Sequence, residues 1–433
     1  MRRRFATVSM LACLLAALGF LAAPMAMAAD DVAIVGTLVS PDGKPVVGVA
    51  ITVEAEGFSQ AATTGADGKF SIPVPKGGTY QVTVDETTLP AGVTLANPDD
   101  ASRSILVLNG QKRLLFKLSV GGESTNGSSD GAGTDTSDNG LVGQVSQLLV
   151  DGVLFGILIA LGAVGLNLIF GTTGLTNFSH GELLTLGAFT AIVLNELGIN
   201  ILIAAPLAVV ISALLFGWGQ NKLLWKPLRR RRTGLIASMV VTIGLAITLR
   251  YTILLLFGGS PRSYQQFAGQ AGFEIGPVSV TPKSLILAAI ASVAIAATVL
   301  WLQRSRIGKA TRAVSDNPAL ASATGIDVER VISVVWTLGA GLAAFAGIYL
   351  GLTQDVSWNM GQRLLLVMFA AVTLGGLGTI YGAIVGALVV GMFIQLSTLI
   401  IPTEMKTVGA LFLMIVILLV RPQGILGRRE RVG

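Results

Sequence analysis

Nine apolar stretches follow one another after residue 148, near 148–170, 183–197, 202–221, 235–257, 284–302, 331–352, 364–378, 380–400 and 406–420. Those of about 19 residues or more can cross a hydrocarbon core of about 30 Å as helices. Three, near 15 residues, read as re-entrant or as continuing through a neighbouring break. The chain is 52% hydrophobic and 12% charged, whereas ordinary soluble domains are about 25% charged. A purely cytosolic enzyme is excluded. With one histidine and one cysteine in the whole chain, so are a His/Cys metal cluster, a disulfide framework and a Cys–His pair.

What precedes the apolar stretches is different in kind. Arg2, Arg3 and Arg4 lead an apolar run that ends near Ala26-x-Ala28. That is the form of a secretory signal peptide over 1–28, with Cys13 inside its apolar core. From 29 to 118 the pattern turns to period two: Val49-Ile51-Val53, Phe70-Ile72-Val74, Tyr80-Val82-Val84 and Leu114-Phe116-Leu118 alternate with small or polar residues. Asp42-Gly43 and Asp67-Gly68 supply turns. A β-sandwich is expected there, placed outside the cell by the leader. Its acids are explained by Asp-Gly turns more simply than by a calcium loop. Residues 119–140, rich in Gly, Ser, Thr and Asp, read as a flexible linker. Residues 141–427 form the membrane domain and 428–433 a basic tail. The expected fold is mainly α: a polytopic helical membrane protein of about 8–9 spans behind a small all-β sandwich.

The formal charge of +6 is unevenly spread. Residues 30–140 hold 7 basic and 14 acidic side chains, and residues 141–433 hold 20 and 10. With the sandwich outside, nine crossings put the C-terminus inside. Fifteen Lys/Arg then fall in cytoplasmic segments and four (Arg262, Lys283, Arg363 and Lys406) in outer ones. That is the asymmetry expected of a plasma-membrane protein in lipid. The basic run at 222–232 is a topology signal on this reading, with no nucleic-acid partner.

Two glycine-broken stretches interrupt the helices. In 171–189, GTTGLTNFSHGELLTLGAF, Ser179-x-x-Glu182 has capping-box spacing. In 373–382, Gly375, Gly376 and Gly378 fall close together. Paired breaks in a membrane domain point to a transport path. Thr173, Asn177, Ser179, Gly375, Gly376 and Gly378 are the candidate pathway residues, and helix packing through small residues is the competing reading. His180, without a Cys or Asp cluster, reads as a helix-start residue rather than a catalyst. Arg250, inside a span, needs a partner or water. The connection 303–330 holds Asp316-Asn317-Pro318 as a helix start and Gly325 as a stop. A helix over 318–324 is expected there. No G-x-x-x-x-G-K-[ST] occurs, so the chain has no P-loop with which to bind ATP.

Two resemblances follow. GTLVSPDGKPVVGVAITVEA with TTGADGKFSIPVPKGGTYQVTV is similar to the carboxypeptidase regulatory-like domain. LIFGTTGLTNFSHGELLTLGAF, RAVSDNPALASATGID, LLVMFAAVTLGGLGTIYGAIVGAL and LLVRPQGILG resemble, in this order, the branched-chain amino acid permeases of bacterial ABC importers. That family also contains urea and short-chain amide permeases. The resemblance implies a subunit that binds no cofactor and leaves ATP to cytoplasmic ATP-binding subunits. Contact with them is implied at Arg312, Asp316, Asn317, Pro318, Gly325 and Ile326. A second permease subunit and an extracytoplasmic solute-binding protein are implied as partners. Ser179 stands where the family has alanine, and many members lack the sandwich. An ATPase-independent channel or carrier is the alternative class.

Overall fold

The computed structural model describes residues 33–39, 46–55, 58–65, 68–75, 78–90, 93–95, 102–107, 111–120, 138–264, 266–267, 272–400, 406–420 and 424–427. The leader at 1–28, Asp42-Gly43, most of the linker and the tail at 428–433 lie outside the described residues. The chain divides into two compact units.

The first unit is all β. Strands β1 (Ala33–Val39), β4 (Lys69–Pro73), β6 (Val93–Leu95) and β8 (Gln111–Val120) form a sheet ordered β4-β1-β8-β6. Strands β2 (Ala50–Ala55), β3 (Phe58–Thr63), β5 (Gly78–Val84) and β7 (Ser102–Val107) form another, ordered β3-β2-β5-β7. The period-two residues do what the pattern asks of them. Ile34, Leu38, Ile51, Val53, Phe70, Ile72, Tyr80 and Val82 are buried together, while Glu54, Lys69, Ser71, Gln81 and Thr83 between them are exposed.

The second unit is helical: α1 (Asp138–Thr173), α2 (His180–Glu196), α3 (Ile201–Arg230), α4 (Leu235–Phe257), α5 (Pro282–Arg304), α6 (Arg306–Asp316), α7 (Pro318–Ala323), α8 (Val328–Thr353), α9 (Met360–Gly375), α10 (Ile380–Ser397) and α11 (Lys406–Val420). Six of them (α1 from Val142, α3, α4, α5, α8 and α10) are long and apolar enough to cross a membrane, and α9 is a shorter apolar helix. A hairpin, β9 (Phe273–Ile275) and β10 (Val278–Val280), stands between α4 and α5. Helix α3 contains two wide π stretches, Ala213–Gly219 and Asn221–Trp225. Gly217 lets it approach the backbone of Trp336 and Thr337 there.

Helices α1 and α8 form the centre and run antiparallel, with Gly165 against Gly339 and the Tyr349 hydroxyl on Leu154 O. Around them the chain repeats itself upside down. Helices α1 and α8 end at Thr173 and Thr353, and α2 and α9 begin at His180 and Met360, each 180 residues apart. Gly181 and Gly361 meet so closely that a Cβ on either would enter the other's carbonyl. From that crossing α2 runs toward the end where Glu196 pairs with Arg262. Helix α9 runs toward the opposite end, where Gly378 reaches Asn167. The crossing lies inside the bundle: His180 bonds Gly162 O, eleven residues or about 16 Å back from the end of α1. The stretches at 183–197 and 364–378 are therefore helices that begin within the bundle, each after an extended approach.

Candidate functional site

The approach to α2 is the segment 174–179. Its residues alternate as in a strand: Leu175 and Asn177 are buried, while Gly174 is exposed and Thr176 and Phe178 half-buried. The expected capping box does not form. Asn177 Oδ1 accepts from both the backbone N–H and the hydroxyl of Ser179, at 3.1 and 2.7 Å, so the asparagine shapes the turn. Glu182 is drawn instead to Arg250 of α4, whose Nε and Nη2 donate to its Oε1 at 3.0 and 2.8 Å. A carboxylate only 1% exposed needs a cation more than a second backbone amide. His180 is fully buried, with Nε2 3.1 Å from Gly162 O. A carbonyl only accepts, so Nε2 carries the proton. Among the described residues no group of three or more His, Cys, Asp or Glu side chains is placed to hold a metal ion.

Helix α4 grips this segment at two heights. Phe178 N donates to Thr242 Oγ1 at 3.2 Å, and Arg250 holds Glu182. Its core face is a single stripe, Thr242, Leu245, Ala246, Leu249, Ile253 and Phe257. Phe178 also contacts Phe369 of α9 at 5.3 Å, so the segment lies between α4 and α9.

The second glycine cluster is a clamp. Gly376 and Gly378 sit at φ +112° and +80°, which only glycine adopts without strain. Asn167, buried in α1, accepts from Gly378 N at 2.8 Å and donates to Thr379 O at 2.7 Å. Ile425 and Leu426 donate to Leu374 O and Gly375 O, so the closing motif of the chain straps the end of α9.

The connection 303–330 is two helices, where one was expected. Helix α6, amphipathic, buries Gly308, Thr311 and Val314, and its i, i+3, i+6 spacing was the overlooked signal. Asn317 Oδ1 then caps α7 by accepting from Leu320 N, as expected, and Gly325 follows its end at φ +86°. Arg312, Asp316, Asn317, Pro318 and Gly325 are exposed, and so is Leu320 at 63%, while Ile326 anchors the unit from beneath. Ser315 Oγ donates to Gly171 O at 2.5 Å, tying α6 to the end of α1 four residues from Asn167.

Of the sequence-derived pathway residues, Asn177 and Ser179 are fully buried, Gly375 and Gly376 are buried, Thr173 is half-buried and Gly378 is exposed. Thr173 spends its hydroxyl on Ile169 O at 2.6 Å and on Leu175 N at 3.2 Å. Sequence reasoning missed Asn167, the pairing of Arg250 with Glu182, and Ser315. One intramembrane arginine and one acid in an apolar stretch were the available signal for the second.

Residues 148–419 match the family described as the permease component of branched-chain amino acid transport systems. The chain belongs to that family. This permease is 32% identical over 297 residues to the high-affinity branched-chain amino acid permease proteins LivH of Salmonella typhimurium and Escherichia coli K12. Each alignment covers 66% of this chain and 96% of the relative. BraD of Pseudomonas aeruginosa is 29% identical with the same coverage. Residues 33–103 of the permease match the carboxypeptidase regulatory-like domain. The permease is a transport subunit of an ABC importer and not an enzyme. It binds no cofactor, and ATP is used by a partner subunit.

Proposed function

We propose that this permease imports branched-chain amino acids, driven by cytoplasmic ATP-binding subunits that grip the α6–α7 surface. A second permease subunit and an extracytoplasmic solute-binding protein complete the complex. The sandwich and the β9–β10 hairpin then face outward and the basic end of the bundle faces the cytoplasm, in line with the Lys/Arg asymmetry. The observation that carries the reading is the bonded route from that surface into the breaks. It runs from Ser315 to Gly171, then up one turn of α1 to Asn167, which holds Gly378 and Thr379.

A pull on α6 is thereby delivered to both glycine-broken stretches. Thr173 and Gly378 end that route. Asn177 and Ser179, buried behind it, keep the 174–179 segment extended so that its Thr176 and Phe178 edge fronts the solute path. Gly375 and Gly376 allow the strap and clamp to close on α9. Arg312, Asp316, Asn317, Pro318 and Gly325 form the gripping surface, with Ile326 holding it to the bundle. The sandwich serves as an outer binding or spacing module. Replacing Arg312, Asp316 and Gly325 together should abolish both co-purification of the ATP-binding subunits and ATP-dependent uptake. Unchanged co-purification and uptake would refute the coupling assignment.

A further inference from the structure

Arg363 stands where an unpaired guanidinium is costly. Hydropathy put it in an outer loop, but α9 begins at the Gly181–Gly361 crossing and Arg363 follows two residues later. From Arg363 to the end of α9 at Gly375 is about 18 Å along the helix. On the other side, Trp358 contacts Tyr251 of α4 at 6.0 Å. Tyr251 lies about 9 Å along α4 from its end at Phe257. The side chain is thus well inside a hydrocarbon layer of about 30 Å.

Arg363 is nevertheless exposed, together with Gln362 and, one turn on, Leu366 at 44%. Among the described residues its guanidinium has neither an ion pair nor a hydrogen bond. An arginine at that depth faces water or a counter-ion. Among the described residues one acid is near it, Glu182, which is buried and committed to Arg250. Asp138 opens α1, and the other described acids lie toward the two ends: Asp151, Glu196, Glu274 and Asp355 at one, Asp316, Asp327 and Glu329 at the other. Among the described residues, a second copy of this chain therefore brings no free carboxylate to that depth.

We infer that Arg363, with Gln362 beside it, is a subsite on the transport path for the carboxylate of the passing amino acid. Arginine presents a planar fork of N–H donors matched to a carboxylate, and the glutamine amide adds donors and an acceptor. The strip continues along the exposed side of α9 through Leu366 to the half-buried Phe369, which touches Phe178. An aliphatic side chain would lie there while its carboxylate is held above. The inference rests on the amino-acid reading of the function.

The complex, purified with its ATP-binding partners and binding protein, is placed in proteoliposomes and given radiolabelled leucine. Arg363→Gln should cut ATP-dependent leucine uptake about 10- to 100-fold, the worth of one charge-assisted contact. Arg363→Lys should recover part of it, and both variants should still co-purify with the partners. Uptake by Arg363→Gln within twofold of the parent would overturn the assignment. So would loss of co-purification, which would make Arg363 a contact between subunits.

A second arm needs no solute. Because Cys13 is the one cysteine of the chain, Arg363→Cys in a Cys13→Ser background gives a single thiol too short to reach the surface. A charged, membrane-impermeant thiol reagent should label it, and should not label Val293→Cys on the exposed face of α5. No labelling at 363 would overturn the inference. If the parent complex imports neither leucine, valine nor isoleucine, the amino-acid reading fails and the carboxylate assignment with it. The labelling result then reports separately whether Arg363 lies on the aqueous route.

Discussion

Removing one partner of the Glu182–Arg250 pair should cost this permease more than any other single polar change in the bundle. The pair makes two charge-assisted bonds to one oxygen, at 3.0 and 2.8 Å, with Glu182 1% and Arg250 12% exposed by side chain. Arg250→Ala strands a carboxylate where water does not reach, and the cost of breaking such a pair is about 3–5 kcal/mol. Glu182→Gln strands a guanidinium that sits closer to the surface of α4, so its cost falls at the lower end of that range. Combining the two changes removes the stranded charge, so the Arg250→Ala, Glu182→Gln double variant should be at least about 2 kcal/mol more stable than the sum of the single losses allows. Unfolding by SDS titration in mixed micelles, followed by tryptophan fluorescence, reads all three; Trp358, in contact with Tyr251 next to Arg250, reports locally. Costs that simply add, or an Arg250→Ala loss below about 1 kcal/mol, would refute the view that α4 is latched to the broken segment through this pair.

Asn167→Ala removes both bonds of the clamp and should lower stability by about 1–3 kcal/mol, together with leucine uptake, whereas Asn167→Asp keeps the acceptor for Gly378 N and should retain part of each; the same SDS titration and an uptake assay check this. Gly361→Ala drives a methyl into the Gly181 carbonyl and should abolish monodisperse folded protein on size exclusion. Gly244→Ala, on an open face of α4 with nothing within 4 Å, should be neutral or stabilise by up to about 1 kcal/mol. Ser315→Ala should cost about 1 kcal/mol or less in stability yet lower the solute moved per ATP hydrolysed, measured in proteoliposomes. Deleting 32–118 should leave assembly with the ATP-binding subunits intact and alter dealings with outer partners; failure of the complex to assemble would contradict this.

Local signals in the sequence translated faithfully into local structure. Apolar runs became helices, and the period-two runs at 49–53, 70–74 and 80–84 became strands with the anticipated inward residues. The side chains of Leu114, Phe116 and Leu118 lie outside the described residues. Asn317 and Gly325 bound α7 because a cap and a left-handed stop act within a few residues. The contacts that assemble the site span long separations and left little trace. Asn167 meets Gly378 211 residues away, and Glu182 meets Arg250 68 residues away. The second of these overrode a capping box that looked sound, because a buried carboxylate gains more from a guanidinium than from a backbone amide. The inverted repeat was written in the sequence as Gly181 and Gly361, Leu184 and Leu364, Phe189 and Phe369. A period of 180 residues is invisible to any reading of neighbouring positions. The second true break was accordingly sought at 373–382, whereas the helix that crosses α2 begins at Met360.

ATP-dependent uptake into proteoliposomes holding the whole complex tests the central claim most directly. Leucine, valine and isoleucine should accumulate only when the ATP-binding subunits, ATP and the binding protein are all present, and the Arg312, Asp316 and Gly325 replacements should abolish accumulation. Uptake that persists without ATP or without the ATP-binding subunits would contradict that claim.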